Sequence, residues 1–205
     1  MRIPYAPKEP PTPLDAPVYE RIAARRAPRP LIPLDLALLH NTSVADGWNS
    51  FIGAIRTKTS LHAGTRELAI CRVAVLNKAV HEWDAHGPLA LKGGVKREGL
   101  ETVFEADVVV KGNRTWMEKG TDADGYEGGL SRMEWAILAY TDQMTRGVEV
   151  DDIVMERLRE GLSDKEVVEL TATVAAYNCV SRFLVALDVG ECNGRAMVKV
   201  GDMVV

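Results

Sequence analysis

Apolar positions after Pro33 recur every three or four residues, which is the spacing of one face of an α-helix. The pattern predicts an all-α domain over residues 34–205 that resembles a helical bundle. Predicted helices cover residues 34–40, 44–57, 65–76, 80–92, 151–159 and 163–187, with another beginning at 131. The helix over 65–76 is apolar on more than one face, which predicts that it is deeply buried.

Local signals mark where several of these helices begin or are interrupted. Ser131 with Glu134, and Ser163 with Glu166, have the spacing of capping boxes and indicate two helix starts. Within the helix over 80–92, Pro88 lacks the backbone N–H that would bond the carbonyl four residues earlier. A kink or a break is therefore expected just after His86.

Two segments depart from the helical pattern. Nine of the ten prolines fall between Pro4 and Pro33, so residues 1–33 are predicted to be an extended arm, lying on the domain or reaching a neighbouring subunit; a disordered tail is the alternative. Residues 105–130 are rich in glycine and charge and are predicted to be a loop insertion, which either covers a site or is a solvated excursion. No strand pattern competes with the helices.

Composition narrows the class of protein. The chain has 205 residues, of which 46% are hydrophobic and 26% charged, as in a globular protein with one substantial core. The 25 basic and 29 acidic residues give a net charge of −4, with no basic stripe that would bind nucleic acid. We find no signal core and no stretch approaching the ~18 apolar residues of a membrane span, so a cytoplasmic location is expected. The three cysteines are interpreted as buried thiols.

The densest group of chemically useful side chains is the segment HEWDAH at 81–86. Glu82 and His86 are four residues apart and share one helix face, where a carboxylate can orient an imidazole for proton transfer. Glu67 lies on the preceding helix and reaches His86 if the two helices pack as an antiparallel hairpin. These three residues are the predicted catalytic group; the alternative is a chance pair on a solvated face.

The sequence supports metal binding and thiol chemistry less well than it supports proton transfer. His81 and His86 are five residues apart, whereas the zinc-protease pattern places two histidines four apart, so no metal site is predicted. Cys71 follows Glu67 by one turn, and a nearby negative charge raises the pKa of a thiol. Cys71 is accordingly interpreted as an inert core residue.

Five further side chains are candidates for binding the substrate: Trp83, His40, Tyr177, Asn178 and Arg182. Arg182 needs an acceptor, which is either a buried carboxylate of the protein or a carboxylate of the substrate. Trp83 also fits core or interface packing, and His40 also fits a role at a helix end.

Three stretches together resemble a known family: LLHN at 38–41, TRELAICRVAVLNKAVHEWDAHGPLALKGGV at 65–95 and VVELTATVAAYNCVSRFLVALDVG at 167–190. They are similar to the carboxymuconolactone decarboxylase-like proteins of the alkyl hydroperoxidase D-like superfamily, and especially to fungal members. The resemblance spans residues 34–190. It implies an all-helical fold and a homo-oligomer (dimer, trimer or hexamer) with sites near subunit interfaces.

The resemblance also extends to individual residues of the family's motifs. The acidic position of the family's REL motif matches Glu67, and its E-W-x-x-H motif matches Glu82, Trp83 and His86. The two cysteines of the peroxidase branch are replaced by Ala79 and Glu82, which argues against peroxidase activity.

The function expected from these features is a cofactor-independent lyase that decarboxylates a small carboxylated lactone or related carbonyl acid, using His86, Glu82 and Glu67. The alternatives are an isomerase or other proton-transfer enzyme of secondary metabolism, a thiol peroxidase, and a non-catalytic binding or assembly protein. The expected partners are a small carboxylate substrate and further copies of the chain, with no nucleic acid and no membrane.

Overall fold

The computed structural model describes residues 1–120 and 125–204. Within them lie nine α-helices, one two-stranded antiparallel ribbon and two short 3-10 helices, so the predicted all-α fold is confirmed. The chain forms two packed units. The first contains Met1–Thr59 and Phe183–Asn193; the second contains Ser60–Arg182 and Gly194–Val205.

The first unit contains helices α1 (Ala16–Arg26), α2 (Pro33–Leu38) and α3 (Thr42–Thr57). Its core includes residues from the predicted arm: Ala6, Tyr19 and Ile22 pack with Leu36 and other apolar side chains. The arm is therefore neither extended throughout nor a disordered tail. The physical reason is that residues 18–27 hold no proline, while Pro17 lies in the first helical turn, where its missing N–H costs nothing.

The second unit holds the remaining helices: α4 (Ala63–Leu76), α5 (Val80–Lys92), α6 (Arg97–Glu105), α7 (Arg132–Arg146), α8 (Asp152–Arg159) and α9 (Asp164–Leu187), the last of which ends in the first unit. Both predicted capping boxes are present. Ser131 and Ser163 each donate from N and Oγ to the glutamate three residues later. Helix α6 was not among the predicted helices.

Helices α4 and α5 form an antiparallel hairpin, because the start of the first touches the end of the second. The backbones of Gly64 and Gly93 meet there: a Cβ atom added to Gly64 would lie 2.6 Å from the carbonyl oxygen of Gly93. The N-terminus of α4 is capped by His62, whose Nδ1 accepts from the Gly64 N–H at 3.2 Å. The hairpin predicted from the sequence is thus the observed arrangement.

The expected break after His86 does not occur, and α5 continues through Pro88 to Lys92. Contacts with the segment after Gly194 hold this helix from one side. The Trp83 indole donates to the Val198 carbonyl at 2.8 Å, and the Met203 side chain lies against Gly87. Packing of this kind overrides the local preference of a proline.

A buried ion pair joins α4 to α7. The Arg72 guanidinium donates from two nitrogens to the Asp142 carboxylate, at 2.5 and 2.8 Å, and both side chains are almost completely buried. Arg72 also donates to the carbonyls of Val103 and Asp107, while Asp142 accepts from the Val109 N–H. One pair therefore fixes two helices and the chain that leaves α6.

The segment predicted as a loop over 105–130 is partly structured, and residues 121–124 lie outside the described residues. It contains a 3-10 helix (Thr115–Glu118) and a ribbon of β1 (Tyr126–Glu127) and β2 (Leu130–Ser131). The ribbon is attached to α6 by the Thr102 hydroxyl, which donates to Gly128 O at 2.7 Å, and to α7 by the Trp135 indole. These contacts place the ribbon on α6 and α7.

Among the described residues, one helix is long and apolar enough to span a membrane by length and composition: α9, with a mean hydropathy of 1.4 over its best 18-residue window. The expectation that no stretch approaches the length and apolar composition of a membrane span is therefore wrong for α9. Core helices pass the same test, and α9 buries Leu170, Val174 and Tyr177.

We expect that Arg72→Met lowers the free energy of unfolding by about 3–5 kcal/mol, because it leaves the buried Asp142 carboxylate without its counter-charge. Urea unfolding followed by circular dichroism measures the loss. The matched control is Arg159→Met on exposed Arg159, which should change stability by less than about 0.5 kcal/mol. Equal effects of the two substitutions would contradict this account of the ion pair.

Candidate active site

The hairpin of α4 and α5 brings Glu67 to His86. Glu67 Oε2 and His86 Nδ1 are 2.6 Å apart, and their side chains are 3% and 12% exposed. A carboxylate on Nδ1 fixes the orientation of the ring and directs its other nitrogen, Nε2, to proton exchange. The approach of Glu67 to His86 that the hairpin predicted is thus present in the structure.

The second oxygen of the Glu67 carboxylate faces Arg66. Arg66 Nε and Nη2 both lie 3.4 Å from Glu67 Oε1, and the arginine side chain is 14% exposed. Glu67 therefore bridges a guanidinium and an imidazole, both of which stabilise its charged form.

Glu82 lies on α5, one turn before His86, and its environment differs from that of Glu67. Its Oε1 accepts from the Ser181 hydroxyl on α9 at 2.9 Å, and its buried Oε2 has no hydrogen-bond partner within residues 1–120 and 125–204. Burial raises the pKa of Glu82 well above its ordinary value, and the bond from Ser181 offsets this only in part. Burial therefore favours the protonated form of Glu82.

Cys71 lies on α4, one turn after Glu67. It is fully buried, and its pKa is raised well above the usual value, first by burial and then by the nearby Glu67 carboxylate. A thiol in this state is a poor nucleophile, which agrees with its interpretation as a core residue. Cys179, in contrast, is exposed, so the expectation that all three cysteines are buried is wrong for that residue.

Tyr177 is the predicted substrate-binding residue that the structure brings to His86. The two rings meet edge to face, with centroids 5.0 Å apart and planes at 82°. Tyr177 is itself buried on α9, so it forms part of the wall around the imidazole.

Asn178 and Arg182 are brought together with each other. Arg182 Nη1 donates to the backbone oxygen of Asn178 at 3.1 Å and to its Oδ1 at 2.6 Å. The Asn178 amide donates in turn to Thr145, and Asn77 donates to Asn178 Oδ1. This network joins α9 to α7 and to the end of α4; a contact of either residue with substrate stays a prediction.

Trp83 and His40 have structural contacts of their own. Trp83 is fully buried, with its ring 5.2 Å from that of Phe104. His40 belongs to the first unit, where its Nε2 lies 2.7 Å from the Pro4 carbonyl oxygen and holds the N-terminal segment. Their roles in binding substrate stay predictions.

Two residues of the site were missed from the sequence, Arg66 and Ser181. Arg66 is a charged residue next to Glu67 in a helix that is otherwise buried, which is a signal that could have been used. Ser181 follows Tyr177 by one turn on α9. Only the packing of α9 on α5 shows that it contacts Glu82.

The described residues contain no group of three or more histidine, cysteine, aspartate or glutamate side chains arranged to hold a metal ion. The candidate site combines the carboxyl groups of Glu67 and Glu82, the imidazole of His86 and the guanidinium of Arg66.

Residues 43–121 match the model of the carboxymuconolactone decarboxylase family. Over these residues the chain is similar to the carboxymuconolactone decarboxylase family, which agrees with the resemblance found in the sequence. The likeness to fungal members stays a prediction. No curated protein sequence matches the chain.

Solved structures share the fold at low sequence identity. A peroxidase-related protein from Silicibacter sp. TM1040 is 18% identical, with a TM-score of 0.64 and 91% of each chain covered. An AhpD-core protein from Ralstonia eutropha JMP134 is 19% identical, with a TM-score of 0.66, 89% of this chain and 87% of that chain covered. A cysteine-to-alanine variant of the debrominase Bmp8, solved with 2,3,4-tribromopyrrole, is 16% identical, with a TM-score of 0.61 and 88% of each chain covered.

We expect Glu82→Gln to change how stability depends on pH. Unfolded Glu82 loses its proton near 4.5, whereas the buried residue keeps it because its pKa is raised. The wild-type protein therefore loses up to about 1.4 kcal/mol of unfolding free energy per pH unit above 4.5, until the folded residue ionises. The glutamine variant lacks this loss, so its stability relative to wild type should rise between pH 5 and pH 8.

Urea unfolding across this pH range measures the effect. Glu101→Gln at an exposed position of α6 is the matched control and should follow the wild-type pH dependence. Parallel pH profiles for wild type and Glu82→Gln would show that Glu82 is not a buried neutral acid.

We expect the cysteines to differ in reactivity. Iodoacetamide at neutral pH should alkylate exposed Cys179 quickly and leave Cys71 unmodified until the protein unfolds, because Cys71 is buried and its pKa is raised. Peptide mass spectrometry distinguishes the two sites in one sample. Fast native labelling of Cys71 would restore the thiol-peroxidase alternative.

Proposed function

We propose that the protein is an enzyme that transfers a proton to or from carbon in a small carbonyl acid, and specifically that it decarboxylates a carboxylated lactone or related compound. The fold and the family support an enzyme of this superfamily. The observation that carries the proposal is the 2.6 Å contact between Glu67 and His86 in a largely buried setting.

The Glu67 carboxylate stabilises a protonated His86, so that the imidazolium can act as a general acid through Nε2. The same carboxylate keeps the ring in one orientation, which a proton transfer to carbon requires. The buried Tyr177 ring packs against His86, and this contact reduces the access of water to the imidazole. Electrostatic interactions are stronger in such a site than in bulk solvent.

In the proposed reaction the bond between the ring carbon and the substrate carboxylate breaks, and carbon dioxide leaves. The electron pair of that bond moves through the conjugated double bond to the lactone carbonyl and gives an enolate. His86 then delivers its proton to carbon, and the neutral imidazole regains a proton from solvent. One proton is consumed for each carbon dioxide released.

The other candidates differ in what they require. An isomerase would use the same residues and is separated from a decarboxylase by the mass of the product. A thiol peroxidase is disfavoured because Cys71 is buried and because Ala79 and Glu82 occupy the positions of the peroxidase cysteines. A non-catalytic protein would be expected to have its acidic residues and histidine splayed apart, whereas Glu67 and His86 are in contact. Homo-oligomerisation and a cytoplasmic location stay predictions.

The test is incubation with a panel of carboxylated lactones and β-keto acids, with mass-spectrometric detection of substrate, product and carbon dioxide. His86→Ala should lower kcat by about 10²–10⁴-fold on any substrate found, because it removes the general acid. Glu67→Gln should lower kcat by about tenfold or more, since the imidazolium loses its counter-charge.

The matched control is His81→Ala, a histidine of the same helix that lies outside the proposed catalytic group; its kcat should remain close to wild type. Turnover by His86→Ala at the wild-type rate would reject the proposed role of that residue. A product of unchanged mass would replace decarboxylation with isomerisation.

A further inference from the structure

We propose that Arg66 binds the carboxylate of the substrate, so that the site selects small organic anions over neutral molecules of the same shape. This inference rests on the proposed function, because it takes the Glu67–His86 pair as the place of reaction. Arg66 is not part of the catalytic group predicted from the sequence. It is adjacent to that group because Glu67 contacts both Arg66 and His86.

The first observation is that Arg66 is only loosely engaged by the protein. Its two hydrogen bonds to Glu67 Oε1 are 3.4 Å long, whereas good charge-assisted bonds measure about 2.7–2.9 Å. Arg26 shows the tighter case, with two bonds of 2.8 Å to Asp35. The guanidinium of Arg66 can therefore accept a better-placed carboxylate.

The second observation is that Glu67 engages Nε and Nη2 of the Arg66 guanidinium but not Nη1. Nη1 of Arg66 has no hydrogen-bond partner in the part of the chain that the structure describes, and the side chain is 14% exposed. A planar guanidinium offers paired N–H donors that match the two oxygens of a carboxylate. An anion held there would lie beside the imidazole that faces the other oxygen of Glu67.

The third observation is the balance of charge around the site. Arg66 is positive and Glu67 negative. Burial raises the pKa of both Glu82 and Cys71, which favours the uncharged form of each group. With His86 protonated the local sum is +1, so the site attracts an anion even though a carboxylate already lies in it.

Arg182, the arginine suggested by the sequence for this role, is less suited to it. Its Nη1 is held on its own helix by two oxygens of Asn178, one of them at 2.6 Å. Asn178 is fixed in turn by Asn77 and Thr145. Releasing Arg182 to a substrate would break this network, whereas Arg66 would give up only two long bonds.

The experiment measures binding without turnover. The probes are 5-oxotetrahydrofuran-2-carboxylate, a saturated lactone acid without the double bond needed for decarboxylation, and its methyl ester. Calorimetry or ligand-detected NMR gives Kd for both with wild type, Arg66→Met, Arg66→Lys and Arg159→Met. The ratio of ester Kd to acid Kd isolates the carboxylate contact, because general changes in the site affect both probes.

Wild type and the control Arg159→Met should bind the acid at least about tenfold more tightly than the ester, which is the size expected for a hydrogen-bonded charge pair. Arg66→Met should reduce the ratio to about one, and Arg66→Lys should retain part of it because the charge remains. The wild-type ratio alone tests the proposal should either Arg66 variant fail to fold.

A wild-type ratio near one, a ratio unchanged in Arg66→Met, or no measurable binding of the acid at millimolar concentration overturns the assignment. Failure of the proposed reaction has a different signature: no turnover of any panel compound, with the preference for the acid still present in wild type and lost in Arg66→Met.

Discussion

The buried ion pair of Arg72 and Asp142 is the interaction on which the rest of the second unit depends. Burial alone raises the pKa of Asp142, and the two bonds from Arg72 act in the opposite direction, so neither side chain is stable in the core without the other. The pair fixes the position of α4 against α7. Since Glu67 and Cys71 lie on α4 just before Arg72, the site inherits its geometry from this contact.

Glu67 and Glu82 are the same residue type, but their different surroundings favour different protonation states. Glu67 faces a guanidinium and an imidazole, and these partners stabilise its negative charge. Glu82 accepts a hydrogen bond from one hydroxyl in a buried position, where burial raises its pKa and favours the protonated form. Pairs of carboxyl groups driven apart in this way are how one scaffold supplies an acid and a base at the same pH.

Periodicity and capping signals predicted most of the helices because they depend on neighbours in sequence. The α4–α5 hairpin, and with it the approach of Glu67 to His86, followed from two adjacent helices and a short turn. The proline-rich segment concealed α1, since nine prolines outweighed the short proline-free run at 18–27. The contact of Ser181 with Glu82 depends on how α9 packs on α5, and the sequence does not contain that information in any local pattern.

The close approach of Gly64 and Gly93 has a consequence for how this site can evolve. The spacing of α4 and α5 is set by two backbones in contact, and any larger residue at either position would meet backbone atoms within 3 Å. The gap between the carboxylate and the imidazole is therefore not an adjustable dimension of the protein. Variation at this site is therefore confined to the side chains that surround a fixed Glu67–His86 pair. Substitution of either glycine is accordingly expected to disturb the Glu67–His86 contact, although neither glycine belongs to that pair.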